Sequence, residues 1–158
     1  MIVATMILIL SAAMFFFYFQ VTCQKVLRRQ FDREYFQFVA AANRLEFLDL
    51  RKSLQQAGVQ MDYARLRKLL ECDFLALTYL LKNAANVNQR YSLNERLLML
   101  YFHWERLSLA VRRLLKLGDS RVILTLTSIL QYFANVVGQR IHFMRFADVS
   151  SSDYFVKS

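Results

Sequence analysis

The chain contains no proline and only three glycines among its 158 residues. A β-sandwich or β-barrel needs many tight turns, which these two residue types supply, so their scarcity argues against an all-β fold. Hydrophobic residues make up 56% of the chain and charged residues 21%, a composition opposite to that of disordered chains and more apolar than an average soluble domain. The composition therefore indicates a single all-helical domain with membrane character.

Residues that carry chemistry are also scarce. Three glycines exclude a phosphate-binding loop and a dinucleotide fingerprint, and Cys23 and Cys72 do not form a pair at metal-ligand spacing. The only two histidines, His103 and His142, would lie about 13 Å out of register in a hairpin closed at Gly118, too far apart to share one metal. We predict no catalytic site, no metal site and no cofactor; an enzyme with an unfamiliar site is the alternative.

The first 24 residues contain no charged side chain. At about 1.5 Å per residue, the apolar run Ile2 to Phe19 would extend about 27 Å, close to the ~30 Å hydrocarbon core of a bilayer. A buried helix of a soluble protein is one alternative, although the run has no polar face. A cleaved signal peptide is another, although it needs a positively charged start. We predict that residues 1–24 form a transmembrane signal-anchor.

Four cations follow this run, and no cationic side chain precedes it: Lys25, Arg28, Arg29 and Arg33. Positive residues stay on the cytoplasmic side of a membrane. The pattern therefore predicts a single-pass protein of the plasma (inner) membrane, with the N-terminus outside and the remaining residues in the cytoplasm. The same four side chains are predicted to contact anionic lipid headgroups, each contributing about 1 kcal/mol.

The cytoplasmic part is predicted to form four helical segments. Because neither glycine nor proline occurs before Gly58, the membrane helix is expected to continue without a break to about Gln56. One face of this segment would carry a stripe at spacings of three and four residues, formed by Phe31, Tyr35, Phe38, Ala42 and Leu45.

Capping residues mark the other three segments. Asp62 can cap the second helix, and Ser92 and Glu95 have capping-box spacing at the start of the third, which would end near Leu117. The fourth would begin at Asp119 or Ser120 and end near Phe146. Short connections make neighbouring helices antiparallel, so we predict an N-terminal transmembrane helix continuing into a four-helix up-down bundle (residues 25–146), followed by a frayed tail (147–158).

The fourth segment leaves a second possibility open. Val122 to Gln139 is uncharged and long enough to span a bilayer, but it contains several hydroxyl and amide side chains. A central helix of the bundle tolerates such groups when neighbours hydrogen-bond them. Both a core helix and a second membrane span fit this stretch.

The net charge of +9 is spread over the bundle. In the predicted topology, one group of cations collects at the end far from the membrane. Arg65, Arg67 and Lys68 among them would lie at a helix N-terminus, where cations oppose the helix dipole, which suggests a function. We name this set the distal basic pole: Arg51, Lys52, Arg65, Arg67, Lys68, Arg112, Arg113 and Lys116.

The third helix is apolar on every face from Leu97 to Phe102. A helix that is apolar all round is buried on all sides, and four helices cannot cover every side of one member. A partner protein or lipid is therefore expected to cover this helix. The predicted partner-contact residues are Leu97, Leu98, Tyr101, Phe102 and Trp104.

These patterns predict a non-catalytic, membrane-anchored helical protein that is an accessory or assembly subunit of a membrane protein complex. Its expected partners are membrane lipids and other subunits of the complex, or a second copy of itself. The alternative is a membrane-tethered bundle that binds nucleic acid or an acidic protein through the distal basic pole. Few aromatic side chains flank those cations, so specific nucleic-acid recognition is not expected.

Overall fold

A computed structural model describes residues 1–29, 31, 33–55, 62–83, 91–115 and 118–156, with the backbone alone for residues 55 and 143–156. Within these ranges every regular element is a helix, and no strand occurs. The helices are α1 (Ile2–Leu27), α2 (Phe36–Ala42), α3 (Phe47–Gln55), α4 (Tyr63–Asn83), α5 (Leu93–Leu114) and α6 (Ser120–Val156).

Helix α1 is apolar and stands largely clear of the other helices. It has 26 residues, and large side chains along its first half, such as Ile2, Leu8 and Leu10, are 67 to 77% exposed. Its length and composition are sufficient to cross a membrane. The predicted apolar N-terminal helix is confirmed.

Helix α6 lies at the centre of the molecule and packs against each of the other five helices. Its inner side chains, including Leu126, Ile129, Leu130 and Phe133, are completely buried. The stretch Ser120–His142 is long and apolar enough to span a membrane, yet 67% of its most apolar window is buried inside the molecule. The core helix of a soluble bundle has the same properties, so both readings of this stretch stay open.

Contacts at both ends fix the direction of α5 relative to α6. Glu95, at the start of α5, pairs with Arg140 far along α6, and Arg113, at the end of α5, lies 4.0 Å from Asp119, just before α6 begins. The two helices are therefore antiparallel. Helix α4 runs parallel to α6, because its start lines the same cavity as Asp119 and its last turn, at Leu81, accepts a hydrogen bond from Arg140.

The prediction that the membrane helix continues to about Gln56 is wrong. Helix α1 ends at Leu27, and two short helices, α2 and α3, replace the single predicted segment. Asn135 of α6 caps the start of α2, Asp73 of α4 caps the start of α3, and Arg44 between them adopts a positive φ of 52°. The absence of glycine and proline permits a long helix, but these tertiary caps stabilise a broken one.

The stripe predicted for the same segment is also wrong. Phe31 and Tyr35 precede α2, Phe38 is 71% exposed, and the side chains that α2 buries are Val39 and Ala40. The side chains of Tyr35 and Val39 approach α6 at Gly138, where a Cβ atom would collide with the Cβ of Tyr35. This close approach sets the face of α2 that packs on α6.

The other predicted boundaries agree with the structure to different extents. Asp62 accepts a hydrogen bond from the backbone of Ala64 at the start of α4, and the capping box of Ser92 and Glu95 is confirmed. Helix α5 ends three residues before the predicted Leu117, whereas α6 extends beyond the predicted Phe146 to Val156.

Candidate partner-binding surface

The most buried ion pair joins three helices. Arg140 of α6 lies 2.6 Å from Glu95 of α5, with 17% and 5% of their side chains exposed, and donates a second hydrogen bond to the carbonyl of Leu81 in α4. The second oxygen of Glu95 accepts from the backbone of Ser92. The bonds of Arg140 hold α6 to α4 and α5, and the bond from Ser92 caps α5, so we assign the cluster a structural role.

Two buried polar side chains act as caps for distant helices. The amide oxygen of Asn135 accepts from the backbone N–H groups of Tyr35 and Phe36 at 2.8 and 2.9 Å. A carboxylate oxygen of Asp73 accepts in the same way from Glu46 and Phe47 at 3.1 and 2.8 Å. Each side chain satisfies N–H groups that a helix start leaves without a partner.

The cap at Asp73 makes the stability of the fold depend on pH. Burial raises the pKa of the Asp73 carboxyl above its usual value of 3.8, an effect that nearby Glu46 increases and the two backbone N–H donors oppose. A carboxyl whose folded-state pKa is raised favours folding at low pH, and this contribution is lost as pH rises through the folded pKa. Asp73→Asn retains an accepting oxygen but does not titrate.

We therefore expect Asp73→Asn to be at least as stable as the wild type at pH 7, and the wild type to gain relative to it toward pH 4. Thermal unfolding followed by circular dichroism across this range measures the difference. Asp73→Leu, which removes the acceptor, should be less stable at every pH by about 1–3 kcal/mol for each buried N–H left without a partner. A wild-type advantage over Asp73→Asn that stays constant with pH would contradict this account.

Two further buried polar side chains, Tyr101 and Glu105, lie on the side of α5 that faces α1. The side chain of Tyr101 hydrogen-bonds Glu105 and Gln24, and burial raises the pKa of the Glu105 carboxyl, although Tyr101 and Arg112 partly oppose this. Cys23 is fully buried. In the part of the chain that the structure describes, no three His, Cys, Asp or Glu side chains are grouped so that they could hold a metal ion.

The outer face of α5 carries a row of large apolar side chains. Its positions alternate at spacings of four and three residues, the repeat of a coiled-coil seam. Leu97 is half-buried, and the other six side chains are 46 to 84% exposed. We call this row the α5 seam: Leu93, Leu97, Leu100, Trp104, Leu107, Val111 and Leu114.

The α5 seam borders an apolar groove formed with α1. Phe16 of α1 stacks on Trp104 with ring centroids 4.8 Å apart, and Phe19 packs edge-on against Tyr101 at 6.0 Å. Next to these contacts lies a cavity of about 330 Å³, into which Phe15 and Leu107 also project. The apolar surface of α1 and the α5 seam therefore form one continuous surface.

The predicted partner-contact residues separate into two groups. Leu98, Tyr101 and Phe102 are at most 1% exposed, because α1 covers Tyr101 and Phe74 of α4 stacks on Phe102. These three are core residues, so their prediction as partner contacts needs correction. Trp104, which is 46% exposed, and half-buried Leu97 belong to the α5 seam.

Sequence reasoning missed the other members of the seam: Leu93, Leu100, Leu107, Val111 and Leu114. The alternation of four and three residues over 22 positions is present in the sequence and could have revealed them. The run that is apolar on every face, Leu97 to Phe102, covers only part of this longer periodic row.

The four predicted lipid-contact cations lie at and after the end of α1. Lys25 occupies its last turn, Arg28 is its C-cap residue, and Arg29 and Arg33 follow in the connection to α2. All four are exposed. Arg29 also lies 6.0 Å from the ring of Phe31.

The described members of the distal basic pole occupy separate environments. Arg51 donates to Gln131 of α6, and Lys52 pairs with Asp49 at 3.8 Å. Arg113 contacts Asp119 and the ring of Tyr63. Arg65 and Lys68 line a different cavity beside Glu46 and Asp73, Arg67 is exposed, and Arg112 is half-buried near Glu105. Lys116 lies outside the described residues.

The fold and these surfaces were compared with known proteins. No model of a protein family, no curated protein and no solved structure matched the chain.

Proposed function

We propose that the protein is a non-catalytic, single-pass membrane protein that binds another subunit of a membrane complex through the α5 seam. Helix α1 would cross the plasma (inner) membrane with its N-terminus outside. The helical bundle would lie on the cytoplasmic side, with Trp104 of α5 reaching the inner part of the span at Phe16. The exposed apolar surface of α1 and the cations that begin at Lys25 support this arrangement.

The single observation that carries the proposal is the exposed α5 seam. Monomeric soluble proteins rarely leave a continuous row of large apolar side chains in water. An apolar row that is two positions wide and repeats every 3.5 residues is the shape that receives a second helix, whose side chains insert between those of the first. The seam therefore favours a helical partner.

The position of the seam indicates where the partner comes from. The groove that joins the seam to α1 contains Phe15 and Phe16, which belong to the proposed membrane span. A helix lying along the seam would contact α1 where it enters the bilayer. This continuity favours a partner that is itself a membrane protein.

No comparable observation supports the alternative, in which the distal basic pole binds nucleic acid or an acidic protein. Among its described cations, Arg51, Lys52 and Arg113 each contact a polar or acidic side chain of the same chain. An electrostatic binding site needs cations that converge on one surface.

Site-specific crosslinking in intact cells tests the proposal. Leu107 is replaced by the photoactivatable residue benzoylphenylalanine, and the protein is expressed at its native level. We expect irradiation to link position 107 to one integral membrane protein, identified by mass spectrometry. The matched control is Leu75 of α4, which is 60% exposed compared with 59% for Leu107 and should give no such product.

A charge placed in the seam should then separate the two proteins. Leu107→Glu should reduce the amount of partner that co-purifies about ten- to hundred-fold, because burial of one leucine contributes about 1.5–3 kcal/mol. Leu75→Glu should leave it unchanged. Equal loss in both variants, or a crosslink only to a second copy of the chain, would refute binding of another subunit at the seam.

The bilayer is the other surface that could cover the seam, and Trp104 distinguishes it because the chain contains no other tryptophan. In liposomes of the purified protein, lipids with brominated acyl chains quench a tryptophan that lies within the bilayer. Strong quenching that persists when the partner is added would assign the seam to lipid and overturn the proposal. Quenching that is absent, or that the partner removes, supports it.

A further inference from the structure

A polar cavity of about 500 Å³ lies between the end of α1, helix α3 and helix α6. Its size falls within the range of small-molecule binding sites. Arg29 contributes to one wall and Arg51 to another, while Ser128, Gln131 and Tyr132 of α6 form the floor. The cavity is separate from the α5 seam, and the proposed function does not use it.

The two guanidinium groups enter the cavity from different elements. Arg51 is half-buried and donates one hydrogen bond to Gln131, and exposed Arg29 lines the same cavity as Tyr132, which is 4% exposed. A guanidinium has five N–H donors, so the bond from Arg51 to Gln131 leaves donors for a ligand. Two guanidiniums that line one cavity can together bind an anion with several oxygens.

Among the residues that the structure describes, the lining carries more positive than negative charge. Glu34 is the one carboxylate that the structure places in the wall, and it is exposed, whereas the two arginines contribute two positive charges. The hydroxyl of Tyr132 adds a donor of the kind that binds phosphate oxygens. The chemistry of the lining therefore fits a phosphate group better than a cation or a neutral ligand.

The surroundings of the cavity favour a phosphate ester. Leu27, the last residue of α1, and Phe31 supply apolar surface at its edge. Arg29 comes two residues after the end of α1 and five residues after the proposed membrane span (residues 1–24), on the side where lipid headgroups lie. A ligand with a phosphate and an attached apolar portion would match both parts of the wall.

We infer that this cavity binds the phosphate group of a phosphate ester, and that the guanidinium groups of Arg29 and Arg51 donate hydrogen bonds to its oxygens. The ester has two possible sources: an anionic phospholipid of the same membrane, or a soluble phosphate compound of the cytoplasm. The shared recognition is the pair of guanidiniums, which holds phosphate oxygens on two sides.

The test uses the full chain in mild non-ionic detergent and two probes, glycerol phosphate and short-chain phosphatidylglycerol. Native mass spectrometry and titration measure retention and affinity. We expect Arg29→Gln and Arg51→Gln each to weaken binding of the accepted probe about tenfold, since each removes charge-assisted hydrogen bonds. Binding of glycerol phosphate would identify a soluble ligand, and binding of phosphatidylglycerol alone would identify a lipid headgroup.

The chain provides a matched control, because Arg51 has a cationic neighbour that does not line the cavity. Exposed Lys52 follows Arg51. Lys52→Gln removes the same charge as Arg51→Gln and should change the affinity by less than twofold. If it weakens binding as much as the pocket variants do, the attraction is a general effect of net charge and the inference is wrong.

The variants must also be folded for the comparison to be valid. Arg51→Lys keeps the charge of α3 but removes the forked donor, so it should unfold at the wild-type temperature and bind with intermediate affinity. Circular dichroism of each variant checks the fold. Wild-type protein that retains neither probe, with its helical content intact, would overturn the assignment.

Discussion

Arg140→Met should destabilise the protein by about 3–5 kcal/mol. Arg140 compensates the charge of Glu95, whose side chain is 5% exposed, and also binds the carbonyl of Leu81. Removing one partner of a buried pair leaves the other charge buried without compensation, and this costs more than the pair itself contributes. Thermal or urea unfolding of the full chain in detergent, followed by circular dichroism, measures the loss.

An exposed ion pair is the control for this experiment. Lys52 and Asp49 are separated by 3.8 Å with side chains 72% and 83% exposed, so Lys52→Met should change stability by less than about 0.5 kcal/mol. Adding Glu95→Gln to Arg140→Met should recover part of the loss, because no charge then stays buried. A double variant no more stable than Arg140→Met would show that the cost does not come from the uncompensated carboxylate.

Phe102→Ala should also have a large effect and lower the free energy of unfolding by about 3–5 kcal/mol. Phe102 is completely buried, and its ring stacks on Phe74 with centroids 4.0 Å apart and planes 4° from parallel. Deleting the ring removes its burial from water and leaves a cavity between α4, α5 and α6. The same unfolding measurement reports the change.

Phe38→Ala is the matched control, since Phe38 is 71% exposed and its removal should change stability by about 0.5 kcal/mol or less. The contrast between the two phenylalanines also tests whether Phe102 is a core residue. If Phe102 contacted a partner instead of the core, Phe102→Ala would reduce partner binding and leave the unfolding of the isolated protein unchanged.

Helix boundaries that depend on nearby residues were predictable from the sequence. Ser92 and Glu95 are three positions apart, and their capping box forms as their spacing indicates. Asp62 lies directly before α4 and accepts from its first turn. In these cases the residues that determine the boundary lie within one turn of it, so a sequence contains the necessary information.

The division of the first segment into α2 and α3 was not predictable in this way. The side chain that caps α2 lies 100 residues from Tyr35, and the one that caps α3 lies 27 residues from Glu46. A local pattern cannot report a partner that folding brings from another helix. Without those two contacts, the residues before Gln55 are consistent with one long helix.

The α5 seam was also predictable only in part, because its exposure depends on contacts with other helices. The sequence shows that α5 is apolar on several faces, but it does not show which face other helices cover. That division depends on α1 packing against Tyr101 and on Phe74 stacking on Phe102. Of the residues predicted as contacts, Trp104 lies on the exposed face of α5, whereas Leu98 lies on its buried face.

The caps supplied by Asn135 and Asp73 also determine when α2 and α3 can form during folding. These helices have seven and nine residues, and isolated helices shorter than about 12–15 residues are marginal in water. Their first turns are completed by α6 and α4, so α2 and α3 should form only after those helices have docked. Residues 36–55 then make up the part of the native protein that opens first, and its backbone amides should exchange hydrogen faster than those of α6.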